Sequence, residues 1–255
     1  MILDLQKASV LKRASAFLLD LILFSILAVG FAALISTITH YDTYSQTDNE
    51  IANTYAEQYF GMTWDEYKKL SEEERKSYEQ AYKDFEKALS GDEKYMRNSS
   101  MMISLSILMV TLGIFFAMLV LEFIVPLLFK NGQTVGKKIF GIAVMGTNSV
   151  KASNVSLFIR AMLGKYTIET MFPIFVFMML FTMPGIGWTP IIVIVGLLAL
   201  QIAVFFVSHT NALIHDMISN TVTVDLASQM IFDSEEKLIS YKAKLAAEDA
   251  ERSAY

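Results

Sequence analysis

The sequence predicts an all-α membrane protein, a four-transmembrane-helix bundle with an extracytoplasmic helical insertion and a small cytoplasmic β-hairpin-like element. The first observation is composition, because 54% of the 255 residues are hydrophobic and only 18% are charged, whereas soluble domains carry about 25% charged residues. The second is the presence of four apolar segments that are long enough to cross a hydrocarbon core of ~30 Å. The third is a pair of short β-prone runs, residues 139–145 and 221–224, which can pair with each other.

The four apolar segments must be helical, because lipid offers the backbone no hydrogen-bond partner. Asp20, Glu122 and Glu169 are the charged residues of the first three segments, and the fourth has none. A short turn with Pro184 and the interfacial Trp188 joins the last two segments into a hairpin. The segments cover residues 14–39, 101–129, 166–183 and 189–207.

Lysine and arginine predict the orientation, because loops rich in these residues stay in the cytoplasm. The loop 130–165 carries six basic residues and no acidic one, whereas residues 40–100 carry eight basic and fourteen acidic residues. We therefore expect a multi-pass protein of the cell membrane with both termini in the cytoplasm and basic side chains against anionic lipid headgroups. The basic residues of the inner loop are Lys130, Lys137, Lys138, Lys151, Arg160 and Lys165.

This orientation divides the chain into six parts. The first half consists of a cytoplasmic N-terminus with the first span (residues 1–39), the extracytoplasmic insertion (40–100) and the second span (101–129). The second half consists of a basic cytoplasmic loop (130–165) with an interfacial helix at residues 156–162, the hairpin of the last two spans (166–207) and a cytoplasmic tail (208–255).

The polar segment between the first two spans has a helical pattern of its own. Ser71 and Glu74 form a capping box, which predicts the start of a helix. Apolar residues then recur at helical spacing, as Tyr78, Tyr82, Phe85 and Leu89. Two interpretations stay open: a compact helical cap that buries these rings on itself, or a docking surface for a partner or a second copy.

Composition and motifs also argue against several function classes. The net charge of −5 argues against a general nucleic-acid binder. With no cysteine and three histidines, we expect no cofactor and no metal site. The run from Gly132 to Lys138 is not a phosphate loop, because only three residues separate its glycines and Lys138 follows Lys137. No Ser, His and acid constellation is visible, so we expect no enzyme.

Polar residues of different spans share one depth in the cytoplasmic half. Arg13 and Asp20 lie seven residues apart on one helix face, and Glu122 lies seven residues before the end of its span, so both carboxylates lie ~10 Å deep. An ionised side chain in hydrocarbon costs at least ~2.5–3.5 kcal/mol. The group therefore forms either a proton or cation site, or a structural network in which Arg13 or Arg160 neutralises Asp20. The whole set is Arg13, Asp20, Glu122, Arg160, Glu169, His215 and Asp216.

Three motifs together resemble the RDD family of small polytopic membrane proteins, which is named for one arginine and two aspartates. Arg13, Asp20 and Asp216 occupy those positions, and Arg160 stands where the family often carries another arginine. Two departures are an outer segment longer than the family's short connection and the absence of a basic residue before His215. The motifs are residues 11–20 (LKRASAFLLD), 131–142 (NGQTVGKKIFGI) and 213–224 (LIHDMISNTVTV).

The resemblance implies two functions. Some family members are similar to cation/proton antiporters, which here implies a proton-linked monovalent cation transporter. Asp20 and Glu122 would bind the ion, while Arg13 and Asp216 would set their charge state. Four helices form a narrow bundle, so this function requires a homo-oligomer. Other members resemble accessory proteins, which implies instead a non-enzymatic accessory or regulatory subunit that binds another membrane protein.

Overall fold

The computed structural model describes residues 5–129, 131–183 and 185–253, so Lys130 and Pro184 lie outside the described residues. The chain is mostly helical and forms two compact units. One unit combines the described residues up to Leu27 with those from Phe115 onward, and the other is Ala28–Ile114. Each unit is described by itself below.

Four helices are long and apolar enough to span a membrane, which confirms the four predicted spans. Their apolar side chains remain largely exposed within the protein, as expected for surfaces that face lipid. We name these helices span 1 (Val10–Ile38), span 2 (Glu93–Leu128), span 3 (Asn154–Leu180) and span 4 (Thr189–Val207).

Spans 2 and 3 each widen into a π-helix just before a proline. Proline has no N–H, and its ring clashes with the carbonyl four residues earlier. Pro126 lies four residues after Glu122, and Pro173 lies four residues after Glu169. The backbone instead bonds five residues back, from Val125 N–H to Val120 and from Phe172 N–H to Thr167. The π-helical turns are Leu119–Ile124 and Ile159–Met171, so they contain both carboxylates.

The interfacial helix expected at residues 156–162 is not a separate element. Helix Asn154–Phe158 continues directly into the π-helix Ile159–Met171 and then into helix Phe172–Thr182. The predicted interfacial helix included Arg160. The charge is instead tolerated within the long helix because Arg160 finds buried partners on other elements.

The predicted two-stranded element is present. Strands β1 (Ile142–Gly146) and β2 (Thr221–Asp225) pair antiparallel, with Ile142 opposite Asp225 and Gly146 opposite Thr221. Residue 139, which was expected in the first strand, ends the short helix Val135–Ile139 instead. The change from helix to strand occurs at Gly141, whose φ of +66° favours glycine. The strands bury Ala143, Met145, Val222 and Val224 in one cluster.

The segment between spans 1 and 2 folds into four short helices with an aromatic core of its own. The predicted capping box at Ser71 and Glu74 is present, and Thr63 and Glu66 form a second one. Phe60 stacks on Tyr67 with 4.2 Å between ring centroids. Phe85 and Leu89 of the aromatic stripe are buried within the segment, and Tyr78 and Tyr82 pack against the same cluster while only partly buried. This is the packing that the compact-cap interpretation expects; the extracytoplasmic position of the segment stays a prediction. The helices are Tyr41–Phe60, Trp64–Lys69, Glu72–Lys76 and Glu79–Gly91.

Two further helices follow span 4. The short helix Ile214–Ile218 carries His215 and Asp216 and leads directly into β2. A charged helix, Glu235–Ser253, ends the described chain. Its first turn is held by Leu238, which packs with Val150 and Phe232 in a small cluster.

Candidate functional site

The most buried charge of the structure is Asp216, which is 1% exposed. Arg160 of span 3 donates a hydrogen bond to one carboxylate oxygen, and Arg13 of span 1 lies 3.3 Å from the other. The backbone N–H of Leu213 also donates to Asp216, at 3.1 Å. Asp216 thus ties spans 1 and 3 to the helix that follows span 4.

The two guanidinium groups are held by further contacts. Arg160 Nη1 donates to the Thr221 hydroxyl at 2.7 Å, and Arg13 Nη1 donates to the carbonyl of Asn211 at 2.6 Å. Burial by itself would raise the pKa of Asp216, but the positive charges of Arg160 and Arg13 outweigh it and hold this pKa below its usual value. Asp216 therefore stays ionised across the physiological pH range and acts as a fixed counter-charge.

Asp20 has a different kind of environment. Its carboxylate accepts a hydrogen bond from the Thr134 hydroxyl and another from the Gly136 N–H, at 2.7 Å. Among the residues that the structure describes, it forms no ion pair within 4.0 Å. The expectation that Arg13 or Arg160 neutralises Asp20 is therefore wrong, because both arginines bind Asp216 instead. Arg13 and Asp20 are seven positions apart, which separates them by ~10 Å along the helix.

Glycine at position 136 is what allows this contact. Thr134 caps the short helix Val135–Ile139 by accepting a hydrogen bond from the Lys137 N–H. A Cβ atom at Gly136 would lie 2.9 Å from the carboxylate carbon of Asp20 and would also collide with the carbonyl of Ala16. The backbone of the inner loop thus approaches span 1 more closely than any side chain permits.

Glu122 is paired with two lysines that the sequence analysis treated only as basic loop residues. Lys165 of span 3 donates a hydrogen bond to Glu122, and Lys137 Nζ lies 3.9 Å from it. All three side chains are at most 15% exposed. Spacing along the sequence gives no signal for this cluster, since its members lie on three separate elements.

Lys137 is the group in this cluster that can exchange a proton near neutral pH. Burial, followed by the positive charge of Lys165, lowers the pKa of Lys137 to about 7. The negative charge of Glu122 opposes this lowering of the pKa. The 3.9 Å between the Glu122 carboxylate and Lys137 Nζ is, however, too long for a hydrogen bond. Lys137 therefore changes its charge in the pH range in which a cell operates.

Glu169 and His215 form the third pair. His215 Nδ1 lies 2.8 Å from both carboxylate oxygens of Glu169, and the His215 N–H donates to Glu169 at 3.2 Å. Burial, and then the charge of Arg160, lowers the pKa of His215. A neutral imidazole that donates from Nδ1 fits this geometry.

A cavity of about 260 Å³ lies where these contacts meet. Of the seven predicted site residues, five line it, while Asp216 and Glu169 contact lining residues from behind. Its polar lining residues include Arg13, Asp20, Glu122, Lys137, Arg160, Lys165 and His215. Within the described part of the chain, no group of three His, Asp or Glu side chains could hold a metal ion.

The arrangement can hold and exchange small charged species. Counting the two groups behind the wall, four basic side chains (Arg13, Lys137, Arg160, Lys165) face four carboxylates (Asp20, Glu122, Glu169, Asp216). The site is therefore close to neutral when Lys137 is protonated and His215 is not. Loss of the Lys137 proton leaves one negative charge in excess.

Comparison with known proteins agrees with the motifs. The model of the RDD family matches residues 7–220, which is most of the chain. No curated protein and no solved structure matches the chain.

The close approach at Gly136 gives a stability prediction. Gly136→Ala should lower the thermal midpoint of the purified protein, because the added methyl group must displace Asp20 or Ala16, and such overpacking costs about 1–3 kcal/mol. Gly196→Ala is the matched control, since a Cβ there meets nothing within 4 Å. Equal midpoints for the two variants in detergent would contradict this packing of Gly136 on span 1.

Proposed function

Because the chain belongs to the RDD family of membrane proteins, we propose that it is a proton-linked transporter of a monovalent cation that uses the cavity between Asp20 and Glu122. The single observation that carries the proposal is the environment of Asp20. This carboxylate is 7% exposed and contacts only neutral donors among the described residues. A buried carboxylate without a contacting counter-charge attracts a cation.

Lys137 supplies the link to protons. The negative charges of Glu122 and Asp20 favour the protonated form of Lys137, whereas the positive charges of Lys165 and Arg160 disfavour it. When Lys137 is protonated, its positive charge opposes the binding of a metal cation at Asp20 and Glu122. When it releases the proton, one negative charge is left uncompensated, and a single monovalent cation restores neutrality. One proton is thus exchanged for one cation.

The other charged groups have fixed roles in this proposal. Asp216 stays ionised and holds Arg13 and Arg160 in place. Lys165 holds Glu122 by a direct hydrogen bond. Both pairs keep their contacts during exchange. In this proposal the protein is not an enzyme and requires no cofactor, metal or nucleic acid. It lies in the cell membrane with both termini in the cytoplasm, an orientation that the distribution of lysine and arginine indicates. A homo-oligomer would provide the pathway that four helices alone are too narrow to enclose.

The alternative function, an accessory or regulatory subunit of another membrane protein, rested on the aromatic stripe of the outer segment and on the compact basic inner loop. Phe85 and Leu89 of that stripe are buried among the segment's own aromatic rings. They therefore offer little free apolar surface to a partner. This packing is the reason for which we favour transport over the accessory role.

Asp20→Asn should abolish cation-driven proton movement. The amide oxygen can still accept from the Gly136 N–H, and the amide NH₂ can donate to the Thr134 hydroxyl, so the packing is largely preserved while the charge is lost. In proteoliposomes with a sodium or potassium gradient, followed by an internal pH dye, we expect exchange to fall by about tenfold or more, as the loss of one charged contact implies.

Asp233→Asn is the control, because Asp233 forms ion pairs with Lys151 and Lys237 and does not line the cavity among the described residues. It should exchange at the wild-type rate. No exchange by the wild-type protein, or equal exchange by Asp20→Asn and the wild type, contradicts the proposed function.

Lys137→Met should remove the pH dependence of cation binding. In the wild-type protein, the lowered pKa of Lys137, about 7, means that cation affinity rises as pH increases through this value and the lysine loses its charge. The variant has no charge to lose, so its affinity should be high and flat from about pH 6 to about pH 8. Titration of the purified protein with sodium or potassium at each pH measures this. A variant that keeps the wild-type pH profile would assign the proton to another group.

A further inference from the structure

The pair of His215 and Glu169 takes no part in the exchange that Lys137 and the two cavity carboxylates account for. His215 is 5% exposed and lines the cavity, whereas Glu169 of span 3 contacts it from behind the wall. The pair therefore connects the cavity with the space on the other side of its wall. Histidine is the side chain that most readily passes a proton between two such surroundings, because it has two distinct ring nitrogens.

The two ring nitrogens of His215 face different surroundings. Nδ1 lies 2.8 Å from both carboxylate oxygens of Glu169. Nε2 lies 3.8 Å from Asp216, which is beyond hydrogen-bond distance. Nε2 has no hydrogen-bond partner among the described residues, and it is not one of the fully enclosed atoms that lack a partner. Nε2 is therefore the nitrogen that is accessible from the cavity, while Nδ1 is bound to Glu169.

The charges around His215 permit the ring to take up a proton and to release it. A neutral imidazole that donates from Nδ1 leaves a lone pair on Nε2, which accepts a proton. Glu169 and Asp216 favour the protonated ring, whereas Arg160 disfavours it. Burial contributes most and lowers the pKa of His215. The ring therefore holds a second proton only briefly, as a transfer group must.

Span 3 fixes the histidine in this position. A Cβ atom at Gly164 would lie 2.4 Å from the Cβ atom of His215, so the helix backbone packs directly against this residue. The His215 backbone N–H also donates to Glu169, at 3.2 Å. The Glu169 side chain is 15% exposed and that of His215 is 6% exposed. Glu169 is thus the more open end of a pair whose contact is held by backbone as well as side chain.

We propose that His215 and Glu169 form a proton relay that carries the proton of Lys137 through the cavity wall. The cavity of about 260 Å³ has room for water between Lys137 and His215. Nε2 accepts a proton through this water, Nδ1 gives its own proton to Glu169, and Glu169 releases that proton to water on its exposed side. Rotation of the ring about the Cβ–Cγ bond then returns the new N–H to the side of Glu169. The relay rests on the proposed exchange and deepens it, because it assigns the route of the exchanged proton.

Parallel measurements of proton exchange and of cation binding test the relay. Exchange is followed in proteoliposomes with a sodium or potassium gradient and an internal pH dye, and binding of the same ions is titrated on the purified full chain. In His215→Gln the amide can still donate to Glu169 but cannot pass a proton on. We expect exchange to fall by about a hundredfold, which a positioned proton-transfer group commonly contributes. Cation affinity and its pH dependence should keep the wild-type values, because Asp20, Glu122 and Lys137 are unchanged.

His209→Gln is the matched control, because His209 also follows span 4 but is exposed and does not line the cavity among the described residues. It should exchange at the wild-type rate. Glu169→Gln is a second variant, whose amide oxygen still accepts from the His215 N–H but takes no proton. Its exchange should fall as in His215→Gln. The double variant should be no slower than either single variant, because residues that act as one unit are not additive.

Equal exchange by His215→Gln and the wild type would overturn the relay and leave the proposed transport in place. Parallel loss of cation binding and exchange in His215→Gln would also overturn it, since a structural role predicts that result. Additive losses in the double variant would assign the two residues to separate steps and overturn the relay as well. No exchange by the wild-type protein would instead contradict the proposed function, and the relay with it.

Discussion

The buried carboxylate of Asp216 is the contact on which the rest of this site depends. It binds Arg160 from span 3 and Arg13 from span 1, and its side chain is fully buried. Burying ions costs several kcal/mol each, and attraction offsets this cost only when the remaining donors and acceptors are satisfied. Thr221 of β2 and the Leu213 N–H supply such contacts. The small sheet and two membrane-spanning helices are thereby fixed around one charge.

With the arginines held by Asp216, Asp20 is left to neutral donors. The close backbone approach of Gly136 places the inner loop against span 1, and the next residue, Lys137, reaches Glu122. Fixed and adjustable charges are therefore separated: Asp216 stays ionised, while Lys137 can change its charge near neutral pH. A change in the charge of Lys137 therefore leaves the network around Asp216 intact.

Much of the fold could be predicted from the sequence, because four long apolar segments and two β-prone runs have strong local patterns. The pairing of charges could not, since it depends on which side chains meet across elements. Helical spacing put Arg13 and Asp20 on one face but did not show that Asp216 lies nearer to Arg13. The sequence alone could not distinguish Lys137 and Lys165 from the other basic residues of the loop. One signal was overlooked: Pro126 and Pro173, each four residues after a carboxylate, predict the local widening of spans 2 and 3.

A double-mutant cycle on Arg160 and Asp216 tests the central claim most directly. The free energy of unfolding is measured for the wild type, Arg160→Gln, Asp216→Asn and the double variant in one detergent. If the two side chains form the buried pair, each single change should destabilise strongly and the double variant should lose much less than the sum, with a coupling energy of about 1–3 kcal/mol. Additive losses, with a coupling energy near zero, would contradict the account.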